Sequence, residues 1–554
     1  MNPDPLYNTI NSYIDTYDVL GCGFGPANLG IAVALADKWS IDKRVIFIEK
    51  HPDFRWHPGM LIPGARMQIS CLKDLATLRN PCSPFTFLSY LHAQNRLSVF
   101  INRGSTIPSR REFSDYLAWA AREVTRRGVE VTYAEEVIAI SKVHVGEEER
   151  IEVTSRRSTS GELIVRRTKD IILSAGGSPR IPRVLSSLQQ QKWTEESVLE
   201  VPVLHTASYI TFIRPVLSRL SQLGRPLKIA IVGGGQSAAE CLMDAYNRLE
   251  SLLPGGHQVD MVIRKGSLKP SDDSPFVNEI FDPSSTDEWY NLSTDRLRGQ
   301  ILSEYKNTNY SVVNPKSLDN LYELIYEQRL SESIASRDCS GASDMNVRIN
   351  LRHNENVVGA TIASLGVDHS PRQITLVRQN TRTHELVEDV YDAIICGTGY
   401  ERTAWMNFLR RSNLAKDYGL AGITDDTPVK LVPAHCTFAP EAESEFSSFD
   451  SRHTSQHEQD PIQSPVTGST SSSSTPPSSP SLSCSSQSLS TPVQIRISRA
   501  YRLLPVSSVQ GKRGRIYVQG CAEATHGLSD TLLSVIGVRS GEVVDDLLAE
   551  EKEN

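Results

Sequence analysis

Two stretches of the chain follow a short apolar run with a glycine turn and then with apolar residues at helical spacing. In the first stretch, residues 17–20 form a buried strand pattern, 29–39 a helix pattern and 44–49 a second strand pattern. In the second stretch, strand patterns over 227–232 and 259–263 flank a helix pattern over 237–249. Each stretch predicts a βαβ unit, which begins a parallel sheet covered by helices.

Three further apolar runs, over residues 170–176, 392–399 and 516–520, contain or end in glycine. The last of them leads into a helix that we predict from about Ser529. Together these patterns predict an α/β fold with two dinucleotide-binding (Rossmann-like) domains and a smaller substrate-binding region. Between residues 441 and 492 the chain becomes rich in serine and proline, which predicts a disordered insertion rather than an ordered loop.

Composition and charge narrow the class of protein. The chain has 58 Lys and Arg against 65 Asp and Glu, a net charge of −7, so we expect no nucleic-acid and no membrane partner. The nine cysteines include no CxxC pair, which argues against a zinc site and a dithiol reductase, and we expect no metal. The N-terminus is polar and no apolar run reaches about 18 residues, so we expect a soluble cytoplasmic protein.

The first glycine turn has the features of a dinucleotide site. Gly21, Gly23 and Gly25 would let the backbone approach a pyrophosphate, and a helix starting near Pro26 would point its free N–H groups at the phosphates. Proline suits a helix start, because its missing N–H would have no partner there. Glu49 ends the second strand, where it can accept hydrogen bonds from a ribose diol. A purely structural turn is the alternative.

The second glycine turn opens the second predicted helix and reads Gly233-Gly234-Gly235-Gln236-Ser237. The strand that follows this helix ends in Arg264 and Lys265 rather than in an acid. Cations at this point pair with a 2′-phosphate, so we predict that this turn binds NADPH in preference to NADH. The alternative is that both cations are only solvated.

Several short motifs are spread in order along the chain, at residues 24–29, 56–60, 67–81, 273–281, 397–400 and 525–534. They resemble motifs of the microbial amine N-hydroxylating flavin monooxygenases, which are the L-ornithine and L-lysine hydroxylases of siderophore biosynthesis. The resemblance runs from about residue 17 to 545 and skips only the Ser/Pro insertion. Cys71 and Cys396 depart from the family pattern, and a free cysteine can fill such a position as a small apolar residue.

The resemblance implies FAD and NADPH as cofactors and L-ornithine and O2 as substrates. In this family NADPH reduces FAD, O2 adds to form a C4a-hydroperoxyflavin, and an unprotonated amine attacks its distal oxygen. The implied reaction is N5-hydroxylation of L-ornithine, the first step of hydroxamate siderophore biosynthesis, with no catalytic side-chain nucleophile. Family members are often tetramers, so a homo-oligomer is also implied.

The resemblance also assigns roles to residues. The residues implied to contact substrate are Lys73, which would pair with the carboxylate, and Asn278, Glu279, Ile280, Phe281, Asn309 and Ser534. Those implied to contact FAD, besides the first glycine turn and Glu49, are Trp56, His57, Gln68, Thr531, Leu532 and Leu533, with Gln68 near the reacting flavin. Those implied to join the NADPH turn and Arg264 are Asn309, Tyr310 and Ser311.

Each assignment has an ordinary alternative. Lys73 could be a surface lysine on a helix, Asn278 a loop or cap residue, and Trp56 a packing residue. Gln68 could be a polar residue at a helix start. Ser529, a candidate N-cap, competes with Ser534 as the C-terminal contact.

These assignments divide the chain into domains. We expect a flexible arm over 1–16, then an FAD-binding domain over 17–205 that returns at 391–440 and 493–545 with the substrate site. An NADPH-binding domain would cover 206–390, with a substrate-binding insert around 270–330, and the disordered insertion would cover 441–492.

Three other functions stay open at this point. An L-lysine N6-hydroxylase differs by one methylene of substrate, which is worth only roughly 1–3 kcal/mol of discrimination, and residues 68–81 and 278–281 resemble the ornithine branch more closely. Another class B flavin monooxygenase, oxidising a sulfide or ketone, would not need Lys73 as a carboxylate partner. A non-catalytic nucleotide-binding redox sensor would be purified without flavin.

Overall fold

The computed structural model describes residues 14–38, 43–188, 195–337, 345–363, 372–424, 427–436, 492–507 and 513–549. The predicted insertion at 441–492 lies outside these residues except for Pro492. Residues 1–13 of the predicted N-terminal arm lie outside them as well, whereas Thr16 already begins the first strand. Within the described ranges, every helix is too short or too polar to traverse a lipid bilayer.

The first part of the chain builds a mixed sheet with helices against it. Its elements are β1 (Thr16–Cys22), α1 (Pro26–Lys38), β2 (Val45–Ile48), α2 (Phe87–Ala93), α3 (Leu97–Asn102), α4 (Arg110–Arg126), β3 (Glu130–Thr132), β4 (Glu135–Val145), β5 (Glu148–Arg157), β6 (Leu163–Leu173), β7 (Ser178–Pro179) and α5 (Arg183–Ser186). The strand order is β3-β2-β1-β6-β5-β4, and β1, β2, β3 and β6 are parallel. All residues of α1 from Asn28 to Leu35 are buried, as expected for a helix covered on both sides.

The middle of the chain builds a second, fully parallel sheet. Its elements are α6 (Glu195–Glu200), β8 (Val203–His205), α7 (Tyr209–Ser221), β9 (Lys228–Val232), α8 (Gln236–Glu250), β10 (His257–Ile263), α9 (Pro275–Glu279), α10 (Ser285–Asn291), α11 (Asp295–Asn309), α12 (Pro315–Arg337), β11 (Val347–His353), β12 (Glu355–Ile362), β13 (Ile374–Asn380), β14 (Leu386–Tyr391) and β15 (Ala393–Cys396). The parallel sheet has the order β11-β10-β9-β15-β8, and β12-β13-β14 form a separate antiparallel sheet. Both predicted βαβ units are therefore present.

The last part of the chain returns to the first sheet. Its elements are β16 (Tyr400–Glu401), α13 (Ala404–Arg410), β17 (Val429–Pro433), β18 (Val493–Ile497), β19 (Leu503–Leu504), β20 (Arg515–Val518), α14 (Glu523–His526) and α15 (Ile536–Ala549). Strand β20 pairs in parallel with the end of β6, and the short strands β7 and β16 pair where the chain crosses between the two sheets. The mixed sheet and the fully parallel sheet thus make the α/β architecture with two dinucleotide-binding units.

Two strands lie in a different sheet from the one that the predicted domain limits imply. Residues 203–205 (β8) and 393–396 (β15) were assigned to the first domain, yet both pair within the second sheet. A short apolar strand before a glycine has the same pattern in either sheet, so only its pairing partner decides its place. The remaining domain limits stay a prediction.

The predicted helix from about Ser529 begins later than expected. Two single 3₁₀ turns, Leu528–Thr531 and Leu533–Val535, come first, and α15 starts at Ile536. The extended conformation of Leu532, with φ −93° and ψ 152°, interrupts the helical path between them. Ser529 is therefore not the N-cap of the long helix.

Candidate functional site

The glycine turn after β1 forms a backbone cradle at the carboxyl end of the first sheet. Gly23 has a φ of 81°, and a Cβ there would lie 2.7 Å from the carbonyl oxygen of Ser174. A Cβ at Gly21 would lie 2.2 Å from the ring of Phe47, whereas nothing lies within 4 Å of the corresponding position at Gly25. The turn is thus tightly packed below and open beside Gly25 at the start of α1, which fits the pyrophosphate of FAD.

Asn28, to which the sequence analysis gave no role, holds this turn in place. Its side-chain amide donates to the carbonyl of Gly23 at 2.7 Å and accepts from the hydroxyl of Ser174 at 2.8 Å. Asn28 is fully buried in an otherwise apolar helix. That single amide among apolar residues was the available signal, because a buried polar group needs a partner.

Glu49 lies at the end of β2, where the predicted ribose acceptor should be. One carboxylate oxygen accepts the backbone N–H of Phe24 at 2.7 Å and the other accepts that of His51 at 3.0 Å. The carboxylate therefore ties β2 to the glycine turn. Each oxygen retains a lone pair that a ribose hydroxyl could use.

The second glycine turn lies beside the predicted Asn309–Ser311 segment. Gly233 has a φ of 139°, and a Cβ there would lie 2.3 Å from the carbonyl oxygen of Gly397. A Cβ at Gly235 would lie 3.5 Å from the Cα of Ser311, so the turn and this segment are in contact. The tight packing below the turn matches that of the first site and fits a second dinucleotide.

The side chain of Gln236 is used within the protein rather than left for a ligand. Its Oε1 accepts the backbone N–H of Asn314 at 2.7 Å, and its Nε2 donates to Glu240 at 2.7 Å. Glu240 in turn accepts two hydrogen bonds from Arg110 of the first unit, at 2.5 and 3.0 Å. Sequence reasoning missed this ion pair, since nothing local in α4 or α8 indicates a partner about 130 residues away.

Trp56 and His57 belong to a segment packed directly on the second unit. A Cβ at Gly59 would lie 2.1 Å from the carbonyl oxygen of Ala207, so the two backbones touch there. The ring of Trp56 is buried against Phe113, with ring centroids 5.7 Å apart.

The His57 ring reaches solvent but has protein atoms closely around it. Desolvation by these protein atoms lowers the pKa of His57 to about 4, and the positive charges of Arg110 and Arg402 also lower it. The imidazole is therefore neutral at pH 7 and adds no charge to the site.

Lys73 lies in a turn between residues 70 and 80, and the helix of its ordinary alternative is absent. Its charge lies close enough to Asp282 to contribute to the lowered pKa of that carboxyl, after the hydroxyl and backbone N–H of Ser284. The neighbouring carbonyl of Asp74 lies 3.2 Å from the Cβ position of Gly537. The structure therefore brings Lys73 close to both the α9–α10 turn and the start of α15.

The predicted substrate residues near α9 are mainly accessible. Ser274 caps this short helix by accepting the N–H of Val277 at 3.4 Å. Asn278 is exposed and donates its side-chain N–H to the carbonyl of Asp273 at 3.0 Å. Glu279 is exposed, and Ile280 and Phe281 are partly buried. Their contacts with substrate stay predictions.

The C-terminal turns meet the end of α11. Tyr310 donates its hydroxyl to the carboxylate of Glu523, and partial burial and this carboxylate raise the pKa of Tyr310 to about 12. The hydroxyl of Thr531 lies close enough to Tyr310 to act on the pKa of that phenol in the opposite direction. A Cβ at Gly527 would lie 2.7 Å from the Trp289 ring, so α10 packs on the same turns.

Ser529 and Ser534 are both 2% exposed, and they differ in their hydrogen bonding. Among the described residues, the hydroxyl of Ser529 is not one of the buried groups without a hydrogen-bond partner. The Oγ of Ser534 is buried and has no partner among the described residues. An unsatisfied buried hydroxyl is costly, and this favours Ser534 over Ser529 as a ligand contact.

The other predicted contacts remain available to ligands. Gln68 is exposed, and its side chain has no hydrogen-bond partner within the described ranges. Arg264 is exposed after β10, without an ion pair in the part of the chain that the structure describes. Leu532 and Leu533 are partly buried beside Thr531.

A mixed sheet and a parallel sheet, each with a packed glycine turn after a parallel strand, define a two-dinucleotide-binding oxidoreductase of the flavoprotein type. The sequence matches the family described as L-lysine 6-monooxygenase/L-ornithine 5-monooxygenase over residues 15–402. The chain therefore belongs to this family, as its motifs indicated.

Individual relatives are similar to this chain along almost its whole length. The L-ornithine N(5)-monooxygenase of Omphalotus olearius is 46% identical, covering 97% of this chain and 98% of its own. The solved ornithine hydroxylase of Pseudomonas aeruginosa, in its reduced form, is 32% identical with a TM-score of 0.68, covering 96% of this chain and 98% of its own. The ornithine N-hydroxylase of Kutzneria sp. 744 is 28% identical with a TM-score of 0.68, covering 97% and 100% respectively.

Proposed function

We propose that this protein hydroxylates N5 of L-ornithine, with FAD, NADPH and O2. The Omphalotus relative is named for this reaction, and the Kutzneria enzyme was solved with reduced FAD, NADP+ and L-ornithine. The observation that carries the proposal is the position of Lys73, next to the Asp282 turn and to the start of α15. A cation held there suits the carboxylate of an amino acid and leaves the side-chain amine to reach the flavin.

The chain's own part in the reaction is to bind, orient and shield. When bound, FAD accepts a hydride from NADPH and activates O2 for transfer to the amine. The open backbone beside Gly25 would hold the FAD pyrophosphate, and the turn at Gly233–Gly235 would hold that of NADPH. The neutral His57 and the exposed amide of Gln68 would line the flavin without adding charge. The free hydroxyl of Ser534 would donate to a ligand.

The family name includes both lysine and ornithine, so the main choice within the proposal is the length of the substrate's side chain. Ornithine is favoured because relatives that are 46% identical over nearly the full chain carry the ornithine name. We further propose that the product enters hydroxamate siderophore synthesis and that the enzyme works as a homo-oligomer.

The proposal is tested by measuring hydroxylamine formation by the purified flavoprotein with NADPH and O2. L-ornithine and L-lysine are compared, and NADPH consumption and hydrogen peroxide are followed in parallel. Product from ornithine alone supports the proposal, and product from lysine alone reverses the choice of substrate. NADPH consumption that yields only peroxide with both amino acids would contradict the assignment of the substrate site while leaving the flavin chemistry intact.

A further inference from the structure

The turn between β13 and β14 lies over the backbone that follows β10. A Cβ built on Gly266 would lie 3.2 Å from Nη2 of Arg382 and 3.4 Å from Oδ1 of Asn354. Gly266 comes directly after Arg264 and Lys265, the cations predicted to recognise the 2′-phosphate. The lack of a side chain at Gly266 therefore allows a guanidinium from a distant part of the chain to approach this pair.

The positive charges at this place have no carboxylate partner among the residues that the structure describes. Arg264, Lys265 and Arg382 are exposed, and none of them forms an ion pair in the ranges that the structure describes. The nearby carboxylate of Glu355 is occupied by Arg378. Uncompensated cations on neighbouring turns raise the local positive potential and attract an anion.

Backbone hydrogen bonds hold the three turns together. The N–H of Asn354 donates to the carbonyl of Lys265 at 3.1 Å, and the N–H of Thr381 donates to the carbonyl of Asn354 at 2.7 Å. Within the β13–β14 turn, Oδ1 of Asn380 accepts the N–H of Arg382 at 2.9 Å. The backbone that carries Arg382 is thus fixed relative to Arg264, so little ordering of the turn is needed to bind an anion.

Strand β13 is itself anchored by a buried arginine. Arg378 is 1% exposed and pairs with Glu355 of β12 and Asp389 of β14. This pairing crosses all three strands of the small antiparallel sheet. The buried ion pairs therefore hold the strands on both sides of the β13–β14 turn in fixed positions.

We propose that Arg382 is a second cation for the adenosine 2′-phosphate of NADPH, acting with Arg264. A guanidinium offers paired N–H donors that match phosphate oxygens. The small antiparallel sheet then helps to decide between NADPH and NADH. This inference rests on the proposed function in one respect, namely that NADPH is the coenzyme of the second glycine turn.

The test measures coenzyme selectivity in the flavin-loaded enzyme carrying Arg382→Ala. Anaerobic flavin reduction is followed with NADPH and with NADH, which lacks the 2′-phosphate. The half-saturating NADPH concentration should rise about tenfold, and that of NADH should change less than about twofold. Competition by adenosine 2′,5′-bisphosphate and by adenosine 5′-monophosphate gives a readout independent of turnover. Only the affinity for the bisphosphate should become weaker in the variant.

Two further variants serve as controls. Arg382→Lys keeps the charge and should recover part of the NADPH preference. Arg329→Ala removes an exposed arginine of α12 that has no ion pair among the described residues, and it should leave both half-saturating concentrations unchanged. Thermal denaturation of each variant reports whether the fold is retained.

The outcomes separate this inference from the proposed function. If Arg264→Ala lowers NADPH selectivity and Arg382→Ala does not, the second cation is refuted and the coenzyme site stands. Equal weakening of NADPH and NADH by Arg382→Ala would likewise refute it. If the unmodified enzyme shows no preference for NADPH, the coenzyme assignment in the proposed function fails.

Discussion

Lys73 lies in a series of turns, and not on the helix that its alternative interpretation as a surface lysine supposed. The residues around it make a chain of turns, fixed by the carboxylate of Asp74, which accepts backbone N–H groups from Ala76, Thr77 and Phe87. That buried carboxylate keeps the turn rigid, so the neighbouring Lys73 is positioned without belonging to a helix.

Replacing Lys73 with alanine should weaken substrate binding without disturbing flavin reduction. The loss of a charged hydrogen bond to the substrate carboxylate predicts a rise in KM for L-ornithine of about 10- to 100-fold. Steady-state hydroxylation and anaerobic reduction by NADPH measure the two effects. An unchanged KM for ornithine would remove Lys73 from the substrate site.

Ser534 and Ser540 form a matched pair for testing the C-terminal contact. Both have buried hydroxyl oxygens without a partner among the described residues. The Oγ of Ser540 faces Gly30 of α1, 2.5 Å from the Cβ position of that glycine.

Ser534→Ala should raise KM for ornithine or slow hydroxylation severalfold, whereas Ser540→Ala should not. Because neither hydroxyl has a hydrogen bond to lose among the described residues, each variant should have a free energy of unfolding within about 1 kcal/mol of that of the parent. Equal kinetic behaviour of the two variants would assign Ser534 a packing role only.

At the scale of elements, α4 and α8 are joined across the two units by the pair Arg110–Glu240. The two side chains are 15% and 12% exposed, so their charges are largely removed from water. Glu240 also holds Gln236, which fixes the backbone of Asn314 close to the second glycine turn. This ion pair therefore connects the second glycine turn to the first unit through Gln236.

Glu240→Ala should lower the stability of the protein by roughly 3 kcal/mol, because it leaves a partly buried guanidinium unpaired. The double variant Arg110→Met/Glu240→Leu should recover most of that stability. Its flavin should nevertheless be reduced by NADPH more slowly than the flavin of the parent protein. Denaturant unfolding and stopped-flow reduction measure the two properties. If the double variant reduces its flavin at the parent rate, the pair has no positioning role.

The C-terminal element shows where a helical pattern was insufficient. Residues 528–535 have the apolar content of a helix but form two 3₁₀ turns, and α15 starts only at Ile536. Packing of these turns against Trp289 and Tyr310 competes with helix formation. The local pattern alone contains no information on these partners, which come from more than 200 residues earlier in the chain.

For the molecule as a whole, buried histidines link stability to pH. His205 and His526 are 2% and 1% exposed, and burial lowers the pKa of each to about 4 from the ordinary 6.5. Between these two values the unfolded chain binds protons that the folded protein does not. Their contribution to stability is therefore complete above pH 6.5 and decreases as the pH falls toward 4.

The thermal midpoint should accordingly fall between pH 6.5 and 4.5, with each histidine costing up to roughly 3 kcal/mol at the acid end. His526→Phe keeps an aromatic ring against Tyr501, where the two rings stack at 4.1 Å, and should make this fall less steep. A midpoint that is constant from pH 7 to 5 would contradict the assignment of neutral buried histidines.

The two βαβ units, both glycine turns and the family could be predicted from the sequence, because each depends on residues that are close together in the chain. Strand periodicity, the glycines at β1 and β9, and the motif around Lys73 are local signals of this kind. Tertiary structure alone decided that β8 and β15 join the second sheet, that Arg110 pairs with Glu240, and that Arg382 approaches Gly266. These contacts join residues far apart in sequence, so they exist only once burial and strand pairing have brought distant elements together.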